Sequence, residues 1–116
     1  MFTLPKSERL KGKTAISALM TKGRWGRTAA LKYCCMQKEE SEPNKIMVSV
    51  PKRLFKQAVR RNLLKRRLRE AYRVRKHMAR GIDILFLYNI NEILSQEELG
   101  KQVEDILHGL ETEDKR

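Results

Sequence analysis

From Lys52 to Arg80 the chain reads KRLFKQAVRRNLLKRRLREAYRVRKHMAR, without a Gly or a Pro. It holds thirteen of the 26 Lys and Arg residues and one acid, Glu70, so its formal charge of +12 equals that of the whole protein. Outside it thirteen bases and thirteen acids cancel. Most of its residues are good helix formers, and the pattern predicts a helix from about Phe55 to Met78. At about 100° per residue, Leu64, Leu68, Ala71 and Tyr72 share one arc of roughly a third of the circle. Asn62, Lys65, Arg66, Arg69, Arg73 and Lys76 share a neighbouring arc. One face can pack on a core while the next presents a cationic ladder. Lys56, Arg60 and Arg67 lie off both arcs and form a second, weaker basic edge.

Like charges along one helix face repel by about 0.2–0.5 kcal/mol for each i,i+4 pair, and the lone Glu70 cannot offset them. A polyanion can, through phosphate contacts and counterion release. A merely solvated helix mixes both signs, and a membrane-surface helix carries Trp or Phe on its apolar arc, which this one lacks. Nucleic acid is the partner that this charge implies.

The 116 residues suit a single domain spanning 1–116, with 1–6 and 111–116 read as flexible ends. No run of eighteen apolar residues implies a transmembrane helix, and the N-terminus shows no secretory signal, so a cytoplasmic location is expected. Adjacent Cys34 and Cys35 point to opposite faces of a strand and read as structural thiols.

Ser7 with Glu8 leads into a helix over Lys13–Lys22, its apolar positions Ala15, Ile16, Leu19 and Met20 at helical spacing and Gly23 ending it. Arg24-Trp25-Gly26-Arg27 reads as a turn, with Trp25 either a lid on the core, the ordinary reading, or a surface for RNA. Thr28 to Gln37 reads as a strand, with Leu31, Tyr33 and Cys35 on one face and Lys32, Cys34 and Met36 on the other. Lys38 to Asn44 is an acidic loop of the kind that joins a hairpin. Lys45 to Val50 is a strand stopped by Pro51. Gly81 closes the basic helix, Ile82 to Tyr88 reads as a buried central strand, and Ser95 with Glu98 forms a capping box for a last helix to about Leu110. This order indicates an α+β sandwich, with helices covering a small mixed sheet.

No catalytic constellation is visible. The acids lie in loops, at the C-terminal end or singly on the basic helix, and neither His77 nor His108 has a sequence partner suited to acid–base work. The pattern is that of a binding protein. Single-stranded RNA is gripped by apolar or aromatic platforms beside positive charge. Tyr33, Ile16 and Met20, with Lys32 nearby, are candidates, although each taken singly is an ordinary core residue.

The run VSVPKRLFKQAVRRNLLKRRLREAYR resembles the signature of the bacterial ribonuclease P protein component, of the form AV-x-RN-x-x-KR-x-x-RE. Ala58-Val59, Arg61-Asn62, Lys65-Arg66 and Arg69-Glu70 stand at those places, and the basic lead, the helix ending at Gly23, the strand with Tyr33 and the closing GIDILFLYN also match. The chain departs from the pattern at Leu63, where the family has a second Arg, and at Ile16 and Met20, where Phe is frequent.

The resemblance implies a two-layer α-β-β-β-α-β-α fold with a left-handed crossover around the RNR-type helix. It implies a non-catalytic subunit of an endoribonuclease whose RNA removes the 5′ leader of precursor tRNA, with Mg2+ held mainly by that RNA. Carried over by position, Lys52, Arg53, Arg61, Asn62, Lys65, Arg66, Arg69 and Arg73 would bind the catalytic RNA. Ile16, Met20, Lys32 and Tyr33 would form the leader cleft, and Asn62 could help order a metal ion. The partners implied are the catalytic RNA and precursor tRNA, with one protein copy and no membrane. The alternatives are a small basic ribosomal protein and a stand-alone metal-dependent nuclease.

Overall fold

The structure, a computed structural model, describes residues 8–114, with side chains as far as residue 110. Residues 1–6 and Ser7, read above as a flexible end and a helix lead, lie outside the described residues, as do the last two. The elements are α1 (Lys13–Lys22), β1 (Arg24–Arg27), β2 (Leu31–Gln37), β3 (Lys45–Ser49), α2 (Ala58–Arg73), β4 (Ile82–Tyr88) and α3 (Gln96–Asp114). A 3-10 turn, Lys76–Met78, follows α2.

Alternation along the strands organises everything else. The sheet order is β1-β2-β4-β3, with β4 antiparallel to β2 and parallel to β3. The apolar run of β4 is therefore central, as its composition demands. Leu31, Cys35, Ile46, Val48, Ile84 and Phe86 face the main core, which α2 closes with Leu64, Leu68, Ala71 and Tyr72, and α3 closes with Leu99, Val103 and Leu107. Cys34 and Leu85 face the other way, into a smaller core with Leu10 and with Leu19 of α1. The sheet thus has helices on both faces, in a mixed α+β arrangement. Among the described residues no helix is long and apolar enough to cross a membrane.

Four expectations are corrected. Arg24–Arg27 is a strand and not a turn, paired with β2 from Arg24↔Cys35 to Arg27↔Lys32. The acidic loop does not join a hairpin, because β4 inserts between β2 and β3. The basic helix is shorter than Phe55 to Met78. Phe55 leaves the helical path to bury against Tyr88, ring centroids 5.8 Å apart. At the other end the Asn44 side-chain amide donates to the carbonyls of Lys76 and Ala79, and its oxygen accepts from the N–H of Ile82. A loop distant in sequence thus holds the 3-10 turn, Lys76–Met78, that replaces the last turns expected of the basic helix. Finally, α3 runs past Leu110 to Asp114, since no Gly or Pro follows Gly109 to stop it.

Local chemistry holds elsewhere. Ser95 Oγ accepts from the Glu98 N–H at 3.1 Å and Glu98 accepts from the Ser95 N–H at 3.3 Å, a reciprocal cap. Gly81 has φ +61°, and a Cβ there would clash with the Glu39 carbonyl oxygen, so the bend into β4 requires glycine.

Tyr72 generates a testable expectation. Its ring is fully buried, and its hydroxyl has no hydrogen-bond partner among the described residues. Asn44 stands near it, but its amide is committed to the backbone groups just named. Burial pushes the phenol up from 10.0 to about 12. A folded-state pKa raised above the unfolded one keeps the phenol neutral in the native state. Stability is intact below pH 10 and falls as pH rises from there toward 12. Urea titrations of Tyr72→Phe are expected to show stability within about 1 kcal/mol of wild type at pH 7, because the lost hydroxyl was unpaired. They are also expected to show a smaller loss between pH 10 and 12.

Candidate nucleic-acid interface

Because Leu64, Leu68, Ala71 and Tyr72 are all buried, the opposite side of α2 is forced outward. Asn62 and Arg66 are exposed there, and Lys65, Arg69 and Arg73 are half-buried along the same face, while Arg60 is exposed off it. The ladder read from the sequence is therefore present on one face, but its members differ in what they do.

Arg61 Nη1 donates to the carbonyls of Phe55 and Lys56, both at 2.8 Å, and so ties down the segment leading into the helix. Arg73 makes a two-pronged pair with Glu70, at 2.9 and 2.6 Å, which holds the Glu70 carboxyl below its ordinary range. Arg67 donates to the Leu94 carbonyl at 2.6 Å and fastens α2 to the start of α3. Lys76 pairs with Glu8 at 2.8 Å.

Among the described residues, no carboxylate pairs with Lys65, Arg66 or Arg69. Burial, reinforced by the charge of Arg9, lowers the pKa of Arg69. Arg9 itself bridges to Ile46 on β3, and its buried Nε meets no acceptor among the described residues. Two guanidiniums near each other without a carboxylate form a natural seat for a phosphate oxygen. Arg9 was not singled out in the sequence, because it lies far from the basic run.

The α1 face of the sheet carries the second surface. Ile16 packs at the margin of the small core, and Met20 in the last turn of α1 is 47% exposed. Next to that core, residues facing one another across the sheet form the row Arg27, Lys32, Leu87 and Ser49. None of the four is buried, and Leu87 is the one position of β4 that is not. An open floor of mixed apolar and cationic character thus adjoins the end of α1. β3 leaves the sheet from this row, so Lys52 and Arg53, exposed in the turn after Pro51, emerge at the same end.

The expected four-residue cleft is corrected in one member. Ile16, Met20 and Lys32 share this side, whereas Tyr33 is on the opposite face, packed against the main core and over Gly26 of β1. Strand alternation forces this result, since Tyr33 must follow Leu31 and Cys35. The aromatic on the α1 side is Trp25, 46% exposed, and not the core lid of its ordinary reading.

The charge of this face also escaped the sequence reading. Residues 9–38 contain eight Lys and Arg and no acid, a segregation hidden when all the residues outside the basic run are summed. Arg27 and Lys32 are the members that the strands place on this face, whereas Arg24 lies on the other side of β1 and Lys38 pairs with Asp83.

No group of three or more His, Cys, Asp or Glu side chains among the described residues is placed to hold a metal ion. Asn62 is exposed among cations, an unsuitable setting for a cation site built from protein alone. His77 and His108 are exposed on separate elements. Cys34 and Cys35 are buried free thiols, and burial pushes the Cys34 thiol up.

This geometry separates residues that build the surface from residues that offer charge. Arg61→Ala is expected to lower the stability of the free protein by about 1–2 kcal/mol, because two carbonyls lose a charged donor. Arg66→Ala is expected to leave it within about 0.5 kcal/mol. Thermal melts of the two variants check the contrast.

Comparison with known proteins identifies the family. The model of the Ribonuclease P family matches residues 4–111. A ribonuclease P protein component from Porphyromonas gingivalis is 35% identical over 83 residues, covering 70% of this chain and 61% of that protein. One from Chlorobaculum tepidum is 37% identical over 82 residues, covering 65% and 52%. The chain thus matches less than two thirds of the length of these relatives. In three dimensions it is similar to the RNase P protein of Staphylococcus aureus, with TM-score 0.79, 23% identity and coverage of 90% of this chain and 96% of that one. The RNase P protein from Thermotoga maritima gives TM-score 0.76 at 20% identity, covering 86% and 94%. These two likenesses concern the fold, while the sequence match extends over nearly the whole chain, and on that match the protein belongs to the ribonuclease P protein family.

Proposed function

We propose that this chain is the protein subunit of ribonuclease P. It binds the catalytic RNA and the 5′ leader of precursor tRNA, and it supports magnesium-dependent removal of that leader in the cytoplasm. The observation that carries the reading is the presence of two cationic surfaces on different sides of one small fold. The outer face of α2 offers Lys65, Arg66 and Arg69 without partner carboxylates among the described residues. The α1 face offers a shallow open row with Lys32 and Arg27 beside apolar Leu87 and Met20. A structured RNA suits the first, where fixed guanidiniums can meet a regular array of phosphates. A single strand suits the second, where apolar surface meets bases and cations meet the backbone.

In this reading one protein copy contributes binding and orientation, and the RNA supplies the chemistry. Held against both the catalytic RNA and the leader, the protein favours precursor over mature tRNA, and its positive charge reduces the magnesium needed to offset phosphate repulsion. The magnesium ions belong with RNA oxygens, in keeping with the hard oxygen ligands that this ion prefers. No step of the cleavage is assigned to a side chain of this protein.

Reconstitution with the catalytic RNA at low magnesium tests the proposal. Cleavage of precursor tRNA is expected only when both components are present, and activity of the protein alone would overturn it. A small ribosomal protein would instead bind precursor and mature tRNA equally. In salt titrations of catalytic-RNA binding, Arg66→Ala and Arg69→Ala are each expected to reduce the slope of log K against log salt by about 0.7–0.9. An unchanged slope in both would remove α2 from the interface.

A further inference from the structure

Trp25 is the one tryptophan of the chain, and it stands on a strand where the hydrophobic effect alone would not leave it. Phe55, Tyr72, Phe86 and Tyr88 are buried, whereas the Trp25 side chain remains nearly half exposed. Its position is nevertheless fixed. The indole Nε1–H donates to the Met20 carbonyl at 3.2 Å, in the last turn of α1, where carbonyls lack helical partners. Lys32 Nζ lies over the ring, 5.9 Å from its centroid. The register places Trp25 opposite Cys34, and so on the α1 side of the sheet with Arg27 and Lys32.

An indole held at its edge, partly open to solvent and flanked by cations has the two features that grip an unpaired nucleotide. It offers a π-face for a base and positive charge for the adjoining phosphates. The surroundings select this occupant over an apolar protein surface. Arg27 and Lys32 share this face of the sheet, so an apolar partner would bury their charge, whereas an RNA strand would compensate it. Neither Ile16 nor Met20 is aromatic, so α1 itself brings no ring to this face.

We propose that Trp25 is a base-stacking subsite at the mouth of the α1-side groove, taking one unpaired base of single-stranded RNA while Lys32 and Arg27 meet its flanking phosphates. The proposal rests on the functional reading above and identifies that strand with the 5′ leader. Because the ring is already anchored through Nε1, little side-chain freedom is lost on binding, and the stack is pre-organised.

A single tryptophan makes the test direct, since indole emission reports on this site alone. The protein reconstituted with the catalytic RNA is titrated with precursor tRNA and, separately, with mature tRNA. Emission is expected to be quenched by the precursor and unchanged by the mature form. Trp25→Ala is expected to bind precursor about 5- to 100-fold more weakly, the range that loss of one base–aromatic stack brings. Its affinity for mature tRNA and its salt slope should stay unchanged, because stacking releases no counterions. Trp25→Phe is expected to recover part of the loss, and a structural role for the indole hydrogen bond would not produce that recovery. Should wild type prefer precursor, with Trp25→Ala preferring it equally and wild-type emission unmoved, the subsite is wrong and the functional reading stands. Should wild type show no preference at all, the leader assignment fails and takes the subsite with it.

Discussion

The burial of four side chains on α2 sets the conditions for the rest of the molecule. Leu64, Leu68, Ala71 and Tyr72 are wholly excluded from solvent, and through them the helix is pressed onto the sheet and α3. The same helix carries Arg61, Lys65, Arg69 and Arg73 at successive i,i+4 spacings, which repel by about 0.2–0.5 kcal/mol per pair. Burying one leucine contributes about 1.5–3 kcal/mol, so the two leucines alone outweigh the repulsion. The helix can therefore remain folded with its charge unneutralised. The cationic face thus keeps its shape without a partner, which distinguishes it from a basic tail that folds only on binding.

The sheet keeps the two faces of the protein apart. Alternation sends Leu31, Tyr33 and Cys35 to the side closed by α2 and α3, and sends Lys32, Cys34 and Met36 to the side where α1 lies. The adjacent cysteines fill the two cores from one strand, as small apolar groups suited to tight quarters. On the α1 side the helix covers one part of the sheet and leaves the row through Leu87 open. The groove is thus a consequence of where α1 stops, and its floor is made by strands that the main core already holds rigid.

Much of this was legible in the residues. The apolar arc of α2 and the Ser95–Glu98 cap are local patterns with direct physical causes, and they appear where the periodicity places them. β1 was not legible, because Arg24, Trp25, Gly26 and Arg27 alternate in no apolar sense; the strand exists through pairing with β2, and Gly26 leaves room for the Tyr33 ring. The 3-10 turn that follows α2 is held by Asn44, a residue more than thirty positions away from its partners. Within the site, the cationic face was visible from spacing alone, but the hydrogen bonds that commit Arg61 to Phe55 and Lys56 belong to tertiary geometry. Tyr33 was grouped with Ile16 and Met20 for its ring beside Lys32, although the two-residue repeat of its own strand already placed it elsewhere. Trp25 could be sorted only by its exposure.

β1 also has a consequence for life in a crowded cell. It is an outer strand of the sheet, and its unpaired backbone groups are a template onto which a second chain could zip. Arg24 and Arg27 at its two ends oppose such pairing, since a like copy would bring the same charges alongside. Charge at this edge thereby guards the protein against its own kind. Loss of these two arginines would expose the strand to self-association, so the basic character of this edge answers to solubility.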